Sequence, residues 1–208
     1  MRKIAAISSI VLGAALCTSV SAQTVSDAPA FDTTTMTTFA DYAAGYTQLE
    51  QWTTESNTAV LAAEQVCLAD TTQTADACTA VKKADLTFIA SGYKATDKVL
   101  EKGANAVLRA AKQQIYGDIK TCITTSPSTV LDPTTGRITS YDRTELLACF
   151  ATAKTALSSI GADLQTVRVA EKAAEQSLKV VADELRALNP PVTSRKRSWR
   201  NWYGHGRH

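Results

Sequence analysis

Histidine is missing from the chain except at its extreme C-terminus, where His205 and His208 stand. Without imidazole, the body lacks the usual general base and the commonest metal ligand. Two imidazoles among glycines, with Tyr203 nearby, are also too few for a copper or nickel site. Glycine-rich phosphate loops, HExxH and GxSxG are absent too. Ser91-Gly92-Tyr93-Lys94 has the SxxK spacing of serine acyl-enzymes, but the SDN and KTG elements of such sites are lacking, so it reads as ordinary helix. No enzymatic activity, cofactor or metal is therefore expected. Asn57, Asn105, Asn189 and Asn201 all lack the hydroxyl residue of a glycosylation sequon, which slightly favours a bacterial periplasmic or secreted protein.

Long apolar runs are equally scarce. The one long apolar run, 4–16, follows Arg2 and Lys3 and precedes Val20-Ser21-Ala22. It is shorter than the about 20 apolar residues needed to span a bilayer, and small residues occupy the signal-peptidase positions. A signal peptide over 1–22 is expected, with Gln23 beginning the mature chain. Cys17 follows the bulky Leu16, which argues against a lipoprotein site. The mature chain is thus expected to be exported, either secreted or periplasmic, with no transmembrane segment. Four cysteines remain in it, Cys67, Cys78, Cys122 and Cys149, none spaced CxxC. An even count in an exported chain favours structural disulfides over redox or metal chemistry.

What is abundant is helical periodicity. Between 143 and 189 apolar residues recur in steps of four and three: Leu146, Phe150, Ala153, Leu157, Ile160, Leu164 and Val167, then Ala174, Leu178, Val181, Leu185 and Leu188. Such alternation is the seam of a helix packed lengthwise against others, in the manner of a coiled coil. Asp142 with Glu145 forms a capping-box pattern at its start, and Pro190-Pro191 stops it. Glu171 alone interrupts the series, as expected where a bundle is wider, is solvated or has its register set by a polar residue.

An earlier seam runs through Phe39, Tyr42, Tyr46, Leu49, Thr53, Ser56, Val60, Ala63 and Cys67, bulky first and small or polar afterwards. It predicts a helix over 36–68. A second helix is expected over 75–121, about 70 Å long, with apolar positions from Leu86 to Ile119. Gly92, Gly103 and Gly117 interrupt it and imply either close backbone approach or a bend. The connection 124–141 places Asp132-Pro133-Thr134-Thr135-Gly136 between two short β-prone runs, consistent with a β-hairpin or with an irregular loop. Residues 23–35, rich in Thr, Ala, Ser and Asp without period, are expected to form a disordered leader.

Three helices running up, down and up form an elongated all-α antiparallel bundle over 36–189. The cysteines test this topology. Cys67 and Cys78 fall at one end and Cys122 and Cys149 at the other, while bridged Cα atoms must lie within about 7 Å. Only Cys67–Cys78 and Cys122–Cys149 satisfy both requirements.

The tail, 190–208, is expected to be disordered, basic and aromatic. It carries Arg195, Lys196, Arg197, Arg200 and Arg207 with no acid, and Trp199, Trp202 and Tyr203 among them. With Arg2 and Lys3 also set aside, fifteen cations face twenty acids in the remainder, an excess of five negative charges. Guanidinium groups beside indoles suit an anionic surface such as lipid headgroups or acidic polysaccharide, or an acidic protein partner, without reading nucleic-acid sequence. The expectation is an exported, non-enzymatic bundle for interaction or adhesion, with this tail as its binding surface. Two other readings are a carrier of a small apolar ligand, with Phe39, Tyr42, Tyr46 and Tyr93 lining its pocket, and a precursor that releases a C-terminal peptide after Lys196-Arg197.

Overall fold

A computed structural model describes residues 25–189. The expected signal peptide and the tail residues named above lie outside that range. Three helices carry the fold: α1 (Phe39–Ala69), α2 (Ala75–Thr125) and α3 (Arg143–Leu188). Between α2 and α3, β1 (Val130–Leu131) pairs antiparallel with β2 (Ile138–Ser140). The all-α bundle and both expected disulfides are present, with Cα–Cα distances of 5.7 Å for Cys67–Cys78 and 5.9 Å for Cys122–Cys149.

Local chemistry sets the helix ends. Thr38 accepts a hydrogen bond from the Asp41 amide while the Asp41 carboxylate accepts from the Thr38 amide, a capping box that starts α1 at Phe39 rather than at 36. Thr74 caps α2 through the Ala77 amide. Asp142 caps α3 through the amides of Thr144 and Glu145. The reciprocal half of that box is not made. The Glu145 carboxylate instead accepts hydrogen bonds from the Ser126 and Ser128 hydroxyls, tying the loop to α3. In the hairpin, Asp132 accepts from the Thr134 and Thr135 amides, and Gly136 sits at φ 63°, where a Cβ would be strained.

The helices differ in length, and this divides the molecule. At 1.5 Å per residue α2 runs about 75 Å and α3 about 70 Å, but α1 only about 45 Å. The N-terminal end of α1 lies level with Gly103 of α2, where the Tyr42 ring occupies the space a Cβ would need. Below that level three helices enclose a core of Tyr42, Tyr46, Leu49, Leu86, Ile89 and Leu100, all essentially without solvent contact. Above it, α2 and α3 continue for about 30 Å as a two-helix arm ending in the hairpin. The arm fully buries only Ile115, Cys149 and Ala153. Phe150 and Leu157, seam positions expected inside, are 48% and 47% exposed because no third helix reaches them.

Residues 25–36 differ from the disordered leader expected. They lie across the groove between α1 and α2, with Val25, Ala28, Phe31 and Met36 against the core. The Trp52 indole N–H donates to the Ser26 carbonyl at 3.0 Å, the Thr96 hydroxyl to Pro29 at 3.2 Å, and the Tyr42 hydroxyl to Met36 at 3.1 Å. Four apolar side chains against the core and three satisfied backbone carbonyls, those of Ser26, Pro29 and Met36, are enough to order a segment whose average composition is polar. Gly92 and Gly45 make room for this strap. A Cβ at Gly92 would come within 3.0 Å of Ala28 and Trp52, and one at Gly45 within 2.7 Å of Leu100 and 3.2 Å of Met36. Gly117, in the arm, has nothing within 4 Å.

Candidate functional site

The end of the bundle opposite the arm holds a cavity of about 200 Å³ between α1 and α2. Its apolar wall is formed by Val60, Ala63, Val81 and the Cys67–Cys78 bridge. The turn 70–74 positions this bridge. Asp70 accepts from the Thr72 amide and hydroxyl, which folds the chain back and brings the cysteines together without glycine or proline.

Three charged residues edge the cavity: Glu64, Lys82 and Asp85. Lys82 is 8% exposed, and its ammonium lies 2.9 Å from Glu64 of α1 and 2.9 Å from Glu184 of α3. One lysine thus joins all three helices. Burial pulls the Lys82 ammonium toward its neutral form, but its hydrogen bonds and attraction to the two carboxylates outweigh this and hold it above its ordinary value. Asp85 is different. Burial pushes its carboxyl up, and it has no hydrogen-bond or ion-pair partner among the described residues. A half-buried, unpartnered acceptor beside an apolar wall can receive an N–H donor or cation carried by an apolar group.

A second polar layer lies midway along the bundle, at Glu171. The structure places Glu171 half-buried, with its carboxyl pushed up by burial and then by Glu175, Asp97 and Glu101, against the opposing pull of Arg168. Asp97 is also raised by burial, although a hydrogen bond from the Tyr46 hydroxyl lowers it in part. Tyr93 is buried and its hydroxyl has no hydrogen-bond partner among the described residues. No group of three or more His, Cys, Asp or Glu side chains among the described residues is placed to hold a metal ion. These carboxylates therefore form a polar break in the seam.

Phe39, Tyr42, Tyr46 and Tyr93 are buried and packed together as part of the core. Ser91 donates its hydroxyl to the Phe88 carbonyl at 2.8 Å and, like Lys94, faces solvent, so the SxxK spacing assembles no nucleophile. The expected surface-binding residues, Arg195, Lys196, Arg197, Trp199, Arg200, Trp202, Tyr203 and Arg207, lie outside the described residues. Their connection to the fold is defined, however. The last residue before them, Asn189, accepts a hydrogen bond from Lys83 at 2.7 Å and caps α3 through the Leu185 carbonyl. The described chain therefore ends at the same end of the bundle as the cavity.

Sequence reasoning missed the cavity and its charged rim. Lys82 offered a signal, since it stands four residues before Leu86 at a seam position of α2. The arm carries a third surface feature. Leu147, Phe150 and Leu157, in steps of three and seven, lie on one flank of α3 and are each about half exposed. Tyr116 on α2 is 71% exposed.

No family model matches the chain, and no curated protein or solved structure matches it significantly. Fold and site together define a disulfide-pinned three-helix bundle with a projecting two-helix arm. No helix among the described residues is long and apolar enough to cross a membrane.

Proposed function

We propose that this is an exported, non-enzymatic interaction or adhesion protein. Its arm presents an apolar flank to a protein partner, and its basic, Trp-rich tail engages an anionic surface such as lipid headgroups or acidic polysaccharide. The observation that carries the reading is the arm. About 30 Å of paired helix leaves Leu147, Phe150 and Leu157 about half exposed, although every other apolar residue of the seam to which Phe150 and Leu157 belong is buried or half-buried. Two disulfides, one at each end of the long helices, support an oxidising compartment and suit a rod that keeps its shape outside the cell. The lack of histidine in the body supports a binding role over a catalytic one.

The test compares the full chain, a chain lacking 195–208, and a Phe150→Ser, Leu157→Ser double variant for binding to phosphatidylglycerol vesicles and to envelopes of the producing cells. Losing the tail is expected to abolish salt-sensitive vesicle binding. The arm variant is expected to lose envelope binding while keeping its melting temperature, since neither side chain supports the core. Unchanged binding in both variants refutes the reading.

A further inference from the structure

We propose that the cavity between α1 and α2 is a docking site for the chain's own C-terminal tail, and that it takes one of the tail's two indoles, Trp199 or Trp202. Four observations converge on this occupant. The first is position. Lys82 on the cavity rim is ion-paired to Glu184 near the end of α3, and Lys83 is hydrogen-bonded to Asn189, where the described chain ends. The described chain thus ends at the cavity's end of the bundle rather than at the arm. The second is reach. Trp199 follows Asn189 by ten residues, which span up to about 33 Å when extended and about 17 Å as a flexible coil, ample for a target that near.

The third observation is size and chemistry. An apolar protein cavity of about 150 Å³ holds benzene. The cavity here, about 200 Å³ with a wall of Val60, Ala63, Val81 and a disulfide, suits the next larger ring system. Asp85, half-buried and without a partner among the described residues, supplies the acceptor that a buried indole N–H requires. The fourth is charge. Arg195, Lys196, Arg197 and Arg200 accompany the indoles, while the body carries an excess of five acids, and at the rim Lys82 is paired with Glu64, which leaves the charge of Asp85 uncompensated there. Tethering also raises the local concentration of the tail into the millimolar range, so weak intrinsic contacts hold it.

Docking turns the tail into a latch. While its indole is in the cavity, the aromatic residues are withheld from any external surface, and a competing anionic surface must draw them out. That consequence rests on the function proposed above. The docking itself does not, and it is measurable with no surface present.

The experiment is fluorine NMR of the full chain labelled with 5-fluorotryptophan, which gives one resonance each for Trp52, Trp199 and Trp202. Trp199→Phe and Trp202→Phe assign the tail signals, and a synthetic peptide of residues 190–208 supplies the undocked reference. One tail resonance is expected to be displaced from its position in the peptide, independently of protein concentration. It should return to that position in Ala63→Phe, which fills the cavity, and move toward it in Asp85→Lys, which reverses the rim charge. The Trp52 resonance reports that both variants remain folded. Tail resonances that coincide with the peptide in the full chain overturn the proposal. So does a displacement that persists in folded Ala63→Phe, or one that appears only at high concentration and so reflects a second copy. If docking is seen but the tail binds no vesicle, the docking stands and the surface-binding function falls with the latch.

Discussion

Removing the two disulfides one at a time should produce different kinds of damage, because they close different parts of the molecule. Cys67–Cys78 closes a loop of 11 residues and Cys122–Cys149 one of 27. In the chain-entropy model these constraints are worth about 2.8 and about 3.5 kcal/mol respectively. The shorter bridge sits at the corner of the three-helix base, where Leu49, Leu86, Ile89 and Leu100 are wholly buried, so its loss lowers the stability of one cooperative unit. The longer bridge pins the arm, whose fully buried side chains are only Ile115, Cys149 and Ala153. Burial of one large aliphatic side chain contributes about 1.5–3 kcal/mol, too little to hold two helices together without the bridge.

Cys122→Ala with Cys149→Ala should therefore open the arm locally while the base stays folded. In hydrogen exchange read by mass spectrometry, amides of residues 106–125 and 143–163 should exchange up to about 300-fold faster, the equivalent of about 3.5 kcal/mol. Amides of α1, of the strap at 25–36 and of the adjoining part of α2 should keep their protection. Cys67→Ala with Cys78→Ala should instead raise exchange across the whole base. Equal acceleration everywhere in the arm variant would refute the division into base and arm, and no acceleration in the arm would refute the view that its packing is weak.

Two further outcomes follow from the packing. Gly103→Ala should cost about 1–3 kcal/mol, because its Cβ meets the rigid, hydrogen-bonded ring of Tyr42. Gly117→Ala should stabilise the arm by about 0.5–1 kcal/mol, since its Cβ has nothing within 4 Å. Urea titration of both variants checks the pair, and effects of the same sign would contradict the assigned environments. The Glu171 layer predicts an unusual response to pH. Its carboxyl is raised in the folded state by burial and by Glu175, Asp97 and Glu101, so its ionised form opposes folding at neutral pH, and stability rises as pH falls through the folded pKa. The capping carboxylates Asp41 and Asp142 are lowered by hydrogen bonds, so the stability they add is present above their unfolded pKa near 3.8 and is lost below it. The melting temperature should therefore hold or rise between pH 7 and 5 and then fall. Glu171→Gln should raise it at pH 7 by less than about 1 kcal/mol equivalent, the group being partly solvated, and should flatten the rise. A steady fall from pH 7 to 5 in the unaltered chain would be inconsistent with this account.

Residue by residue, legibility followed the kind of signal. Asp70, Thr74 and Asp142 act through neighbours two or three positions away, so the turns and caps they make show in the sequence. The strap does not, because Val25, Ala28, Phe31 and Met36 follow no helical or strand period and acquire their partners only from Trp52, Gly92 and Thr96. Trp52 and Gly45, both buried, fall outside the α1 seam for the same reason: they face the strap and α2. The cavity left only the trace of a lysine at a seam position, since its lining comes from two helices and the turn between them and exists only once they are packed.

The order, direction and span of the three helices, and the pairing of the four cysteines, were determined by the sequence alone. Periodicity and capping are local, and rods about 70 Å long allow only one arrangement of bridges. The tertiary structure decided which parts of the long seams are covered. An identical step of three and four places Leu49 in a sealed core and leaves Phe150 half in water. The difference is whether a third helix passes at that height, and no residue near Phe150 encodes it.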